Sequence, residues 1–126
     1  ESIVHQSIFS DIEIIISDNA SSDGTDWVVE KYTKKYSNII YSRNEENIGF
    51  DRNILKVVSL ASGKYCLFIG DDDAFFNNSL QNIINLLIEE RAEYYITNNW
   101  GYNNTLLHPA VLHPNLNIKE DQFYSG

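Results

Sequence analysis

At 126 residues the chain has room for one domain around a single core, and 43% hydrophobic with 13% aromatic residues is the composition of a globular protein. A formal net charge of -9 and a pI near 4.6 exclude a nucleic-acid backbone or an anionic membrane surface as the main partner, since both need a basic footprint. No apolar run is long enough to span a bilayer, nothing at the start has the form of a signal peptide, and one cysteine leaves no internal disulfide, so a reducing, cytoplasmic setting is expected.

Glu1 at the start and the absence of methionine read as a fragment of a longer protein. Val4 and Ile8 stand one helical turn apart, which predicts the end of a short amphipathic helix over residues 2–9. Residues 12–17 are apolar and β-branched and predict a strand. They run into Asp18-Asn19-Ala20-Ser21-Ser22-Asp23-Gly24-Thr25, the densest group of turn formers in the chain. Thr25 or Asp23 can cap a following helix whose Val29, Tyr32 and Tyr36 share a face. Residues 38–42 predict a short second strand, which ends in Arg43-Asn44-Glu45-Glu46-Asn47-Ile48-Gly49. A second helix over residues 50–62, closed by Gly63, follows from Ile54, Val57, Val58 and Ala61.

Residues 64–69 are apolar with no helical spacing, which predicts a strand buried on both faces, with Cys66 inside it as a small hydrophobe. It leads straight into Gly70 and the acids Asp71, Asp72 and Asp73. A third helix, capped at Asn78 or Ser79, carries Leu80, Ile83, Ile84, Leu87 and Ile88, and residues 92–97 predict a further strand. From residue 98 onward asparagines, Gly101, Pro109 and Pro114 predict irregular structure. The expected organisation is an α/β domain over residues 1–97 and an irregular region over 98–126. In such an alternation βαβ units build a mostly parallel sheet with three polar loops along one edge.

Those loops suit a nucleoside diphosphate. Asp18 and Asn19 offer an acceptor and donors to a base or ribose. Asp71, Asp72 and Asp73 offer hard oxygens to Mg²⁺ or Mn²⁺ and, through the ion, to a diphosphate. Arg43 and Arg52 are candidates for phosphate or ribose contacts, and equally for surface ion pairs. Asn47-Ile48-Gly49 lets the backbone turn tightly beside a ligand, or is a turn and no more.

Taken in order, the Asp-Asn-Ala-Ser-Ser-Asp-Gly-Thr loop, the Arg-Asn-x-x-Asn-x-Gly segment, and Ala-Ser-Gly-Lys-Tyr leading into Phe-x-Gly-Asp-Asp-Asp resemble the inverting family 2 glycosyltransferases of GT-A fold. Within that family the likeness is greatest to abequosyltransferase-like bacterial members that build surface polysaccharide, and it covers about residues 2–90. The resemblance implies a Rossmann-like GT-A fold with helices flanking a mostly parallel sheet. It also implies a nucleotide-diphospho-sugar donor, a saccharide or lipid-linked saccharide acceptor, and at most peripheral contact with a membrane. It makes the irregular residues 98–126 the start of the acceptor-side region. It places Asp18, Asn19, Arg43, Asn47, Gly49, Arg52 and Asp71 at the donor nucleotide, and Asp72 with Asp73 at the metal. The family's first motif acid falls at Gly70. Its opening strand, which also lines the nucleotide pocket, precedes Glu1, and no residue up to Gly126 matches its catalytic base, Glu120 and Asp121 included. The fragment alone is therefore expected to be inactive.

Rival classes fit less of the chain. Asn19, Ser21, Asp23, Gly24 and Glu30 have EF-hand spacing, but two ligand types are wrong and a strand precedes the loop. A phosphatase using Asp71 and Asp73 would require a different residue type than Ala74 after them. The remaining alternative is a non-catalytic interaction domain with a degenerate nucleotide site. His108, His113, Trp27 and Trp100 carry no further assignment.

Overall fold

The structure, a computed structural model, describes residues 1–90. The chain opens in turns and a short 3-10 helix, Phe9–Asp11, in place of the expected amphipathic helix. Gln6 explains the difference: its buried amide donates to the Ser2 and Phe76 carbonyls, and this tertiary tie holds the segment in turns.

Strand β1 is Ile14–Asp18, helix α1 is Thr25–Lys35 and strand β2 is Ile39–Arg43. The strands pair in parallel from Ile14 opposite Ile39 to Asp18 opposite Arg43, with α1 as the crossover between them. The pleat sets Ile14, Ile16 and Asp18 beside Ile39, Tyr41 and Arg43 on one face, and Ile15 and Ser17 beside Ile40 and Ser42 on the other. β1 begins and ends later than the apolar pattern predicts. Asp18 thereby becomes the last strand residue rather than the first of the loop.

α1 packs on β2, and Val29 is its buried residue, with Tyr36 edge-on to Phe9 at 4.9 Å. Gly24 rather than Thr25 or Asp23 holds the cap position. Asp23 still serves the helix start by accepting from the Thr25 N–H and hydroxyl at 3.1 and 2.6 Å. Helix α2, Phe50–Leu60, packs on β1 and is capped by the extended Ala61, two residues before Gly63. Helix α3, Ser79–Glu90, buries Leu80 and leaves Ile88 at the surface.

The largest departure from expectation is at residues 64–69. They form no strand, and Cys66, Leu67, Phe68 and Ile69 are exposed. A buried parallel strand needs a ladder on its edges and cover on its faces. Among the described residues β1 pairs with β2 alone, so this segment finds neither. It borders instead an open hollow of about 880 Å³, across from Ile14, Ile15 and Ile16 and beside Val57 and Val58. Its approach is anchored by Glu13, whose carboxylate accepts from the Ser62 and Gly63 N–H groups at 2.7 and 2.6 Å. The strand expected at 92–97 and the boundary at 97/98 lie outside the described residues.

Candidate functional site

Asp18 ends β1 with its carboxylate out of contact with solvent and both oxygens in use. Oδ1 accepts from the Ser21 N–H at 2.7 Å, which closes the turn after the strand. Oδ2 accepts from the Tyr41 hydroxyl at 2.6 Å and lies 3.2 Å from Nε of Arg43. Strand register explains the pair of partners. Arg43 stands directly opposite Asp18, and Tyr41 is two residues back on the same face. Burial opposes the charge on Asp18, but the bonds from Tyr41 and Ser21 and the Arg43 guanidinium outweigh it and hold its carboxyl below the ordinary value. The same burial, with the Asp18 bond and charge, pushes the Tyr41 hydroxyl up to about 12. Asp18 is an anion and Tyr41 a neutral donor at neutral pH.

Arg43 also donates from Nη2 to the Ser21 carbonyl at 2.7 Å, so its guanidinium braces the loop after β1. Asn19 looks across to the second loop. Its Oδ1 accepts from the Ile48 N–H at 3.0 Å and its Nδ2 donates to Oδ1 of Asn47 at 2.8 Å. Asn47 Oδ1 in turn accepts from the Gly49 N–H at 2.9 Å. Gly49 has φ 86° and ψ 162°, a conformation that only glycine adopts without strain, and it opens α2. Thus Asp18, Asn19, Arg43, Asn47 and Gly49 stand together at one end of the β1–β2 pair, joined by hydrogen bonds. Arg52 is exposed on the first turn of α2.

Asp71, Asp72 and Asp73 are exposed, and Asp71 and Asp73 share the hollow's border with Asp18 and Asn19. Asp72 is not on that border. Gly70 is where two of the acids meet. A Cβ there would fall 2.8 Å from Oδ1 of Asp72 and 3.1 Å from Oδ2 of Asp73, which also accepts from the Gly70 N–H at 3.2 Å. The glycine therefore makes room for two carboxylate oxygens over one Cα. Carboxylate oxygens are the ligand type that Mg²⁺ or Mn²⁺ takes, with water and phosphate filling the rest of the shell. No three ligand-type side chains converge on one point among the described residues, so such an ion would draw on two carboxylates at most.

Three contributors escape a reading of the sequence: Tyr41, which donates to Asp18, Asn53, which accepts from Asn44, and Lys56, which donates to Asn44. Asn44 itself, a donor to Asn19, is legible only as part of the Arg-Asn-x-x-Asn-x-Gly segment. Asn53 leaves a trace, because it stands one turn before Val57 on the apolar face of α2, where a polar residue needs a partner. Tyr41 leaves one in its i, i+2 relation to Arg43. Lys56 leaves none, and the motif that contains Asn44 does not reveal its partners, because both depend on how α2 docks.

A parallel βαβ unit with charged and amide groups at the strand ends is the form of an open α/β domain. The sequence comparison agrees: the model of Glycosyl transferase family 2 matches residues 1–123, and the chain belongs to that family. Its α/β architecture is consistent with part of a GT-A fold. The chain is 46% identical over 97 residues to the abequosyltransferase RfbV of Salmonella typhimurium, covering 75% of this chain and 29% of that one. It is 33% identical over 88 residues to the GalNAc(5)-diNAcBac-PP-undecaprenol beta-1,3-glucosyltransferase of Campylobacter jejuni, covering 69% and 28%. To the poly(ribitol-phosphate) beta-glucosyltransferase of Bacillus spizizenii it is 29% identical over 107 residues, covering 82% and 17%. The chain thus spans less than a third of the length of each of these relatives. No solved structure matches it. No helix among the described residues is long and apolar enough to cross a membrane.

Proposed function

We propose that the chain is the donor-binding part of a glycosyltransferase that moves a sugar from a nucleoside diphosphate to an acceptor hydroxyl in bacterial surface polysaccharide. The observation that carries this is the anionic Asp18 at the end of β1, held between Tyr41 and Arg43 on the border of a hollow that Asp71 and Asp73 also reach. Carboxyl-end loops of a parallel sheet are where α/β domains take nucleotides.

In this reading the Asp18 loop and the Asn47–Gly49 turn receive the base and ribose, and Arg52 contributes a cation at the rim. Asp71 meets the donor, while Asp72 and Asp73 hold Mg²⁺ or Mn²⁺ against the diphosphate. Such an ion, held by Asp72 and Asp73, would supply positive charge to the leaving diphosphate. The protein's part at this end is to bind and orient the donor, while the base that deprotonates the acceptor belongs to the acceptor side. The cytoplasm is the matching compartment. A lipid-linked saccharide presented at the inner membrane face is a fitting acceptor, and the undecaprenol named for the Campylobacter relative supports that class.

Calorimetric titration of the intact protein with CDP, UDP, GDP and dTDP, each with and without Mn²⁺, tests the proposal. One diphosphate is expected to bind in a Mn²⁺-dependent way, and Asp72→Ala to weaken that binding by about tenfold or more, the size of one lost charge-assisted contact. Equal affinity in Asp72→Ala removes that residue from the metal. Absence of binding to all four favours an interaction domain with a degenerate site.

A further inference from the structure

Between the ends of β1 and β2 and the start of α2 runs a web of four asparagine amides. Asn53 on α2 accepts at Oδ1 from the Ser17 hydroxyl at 2.8 Å and from Nδ2 of Asn44 at 3.0 Å, and donates from Nδ2 to the Ser17 carbonyl at 3.1 Å. Asn44, a buried residue just past β2, also donates from Nδ2 to Oδ1 of Asn19 at 2.9 Å and accepts at Oδ1 from the Lys56 ammonium. From Asn19 the web continues through the Ile48 N–H and through Asn47 to the Gly49 N–H.

Groups that act in one sense only dictate which way each amide faces. Lys56 has donors alone, so Asn44 must turn its oxygen to it and its NH₂ to Asn19 and Asn53. The Ser17 carbonyl has acceptors alone, so Asn53 must turn its NH₂ there and its oxygen to Asn44. The Ile48 N–H is a donor alone, so Asn19 must present its oxygen and send its NH₂ to Asn47. A side chain that both donates and accepts is required at Asn19, Asn44 and Asn53, whereas Asn47 serves as an acceptor from Asn19 and Gly49. Aspartate, close in shape, would set oxygen against oxygen.

We propose that Asn44 and Asn53 are positioning residues for the nucleotide site. Their amides lock the loop after β1 to the turn before α2, and this fixes Asp18 and Asn19 relative to Gly49. The inference rests on the donor-site reading above and adds the device that holds that site in shape. Neither residue needs to touch the ligand. Their effect passes through Asn19 and the Ile48 and Gly49 N–H groups.

The test uses the intact protein with Mn²⁺ and whichever of CDP, UDP, GDP and dTDP binds the wild type. Asn44→Asp and Asn53→Asp are expected to raise Kd by roughly tenfold or more, the scale of effect expected when a binding loop is displaced by a fraction of an ångström. Amide exchange at Ile48 and Gly49 should accelerate in both variants, while the Ile14 N–H, bonded to the Asn38 carbonyl in the strand pair, stays protected. A role in stability alone would lower Tm and leave Kd of the folded protein and exchange at Ile48 unchanged, and that result overturns the inference. Should the aspartate variants fail to fold, Lys56→Met removes only the group that orients Asn44, and the same shifts in Kd and exchange are expected from it. Unaltered Kd and exchange in Lys56→Met overturn the inference too. A wild type that binds none of the four diphosphates overturns the donor-site reading and this inference with it. Binding in the wild type with unaffected variants overturns the inference alone.

Discussion

Asp18 meets the two demands on a buried carboxylate: it is paired, and both its oxygens are hydrogen-bonded. Because its folded carboxyl ionises below the unfolded one, its stabilising contribution is complete above the unfolded value, near 3.8, and is lost as pH falls through the lower folded value. Asp18→Asn should therefore cost about 1.5–3 kcal/mol at pH 7, the range for hydrogen bonds to a charged group. The gap to wild type should begin to narrow once the pH falls below about 3.8 and go on narrowing with further acidification. Thermal unfolding of both proteins at pH 7 and at a pH below 3.8 reads this directly. An equal gap at both would mean that charge is not what Asp18 supplies. The same residue limits what the nucleotide reading requires of it. With both oxygens engaged, Asp18 shapes the pocket through its turn and its field, and a ligand that bonds to it directly must compete with Tyr41 or Arg43.

At the scale of elements, the two loops at this end of the sheet depend on backbone conformations that individual residues either permit or resist. Gly49 occupies a region closed to side-chain-bearing residues, so Gly49→Ala should destabilise by about 1–3 kcal/mol although nothing lies within 4 Å of the added carbon. Ala20 is the converse case. It sits at φ 65° in the loop after β1, where a Cβ is unfavourable by about 1–2 kcal/mol, and Ala20→Gly should recover up to about 1 kcal/mol after the added freedom of the unfolded chain is subtracted. Denaturant unfolding of the two variants should thus give shifts of opposite sign. Shifts of the same sign would contradict the loop geometry.

For the molecule as a whole, the question is what holds the acidic segment near the strand ends. Residues 64–69 contribute no ladder, so the tie after the acids falls to Ser2 and Gln6, which bond to the Phe75 N–H and the Phe76 carbonyl. The tie before the acids falls to Glu13, at the foot of β1, gripping the turn that leads into residues 64–69. Its hydrogen bonds from the Ser62 and Gly63 N–H groups lower its carboxyl pKa from the ordinary 4.5. The tie is therefore present above that value and is lost as pH falls through the lowered one. Glu13→Gln should speed amide exchange at Ser62 and Gly63 relative to their intrinsic rates at pH 7, with β1 and β2 unaffected. Unchanged exchange at both amides would show that another contact carries the tie.

Much of this was legible in the residues themselves. Local periodicity and turn chemistry determine β1, α1, β2, α2 and α3 to within a few residues, because each is an apolar stripe bounded by glycine, asparagine or aspartate, and these rules act over a turn or two of chain. The family follows from the same loops, whose ordered polar motifs are themselves sequence. Tertiary structure decided the rest. Whether residues 64–69 form a strand depends on a neighbour to pair with, which no local pattern contains. That Arg43 braces Asp18 depends on parallel register, and that Asn44 and Asn53 meet Asn19 depends on where α2 docks against β1. Hydrogen bonds between groups 9 to 36 residues apart have directions that only the assembled backbone supplies.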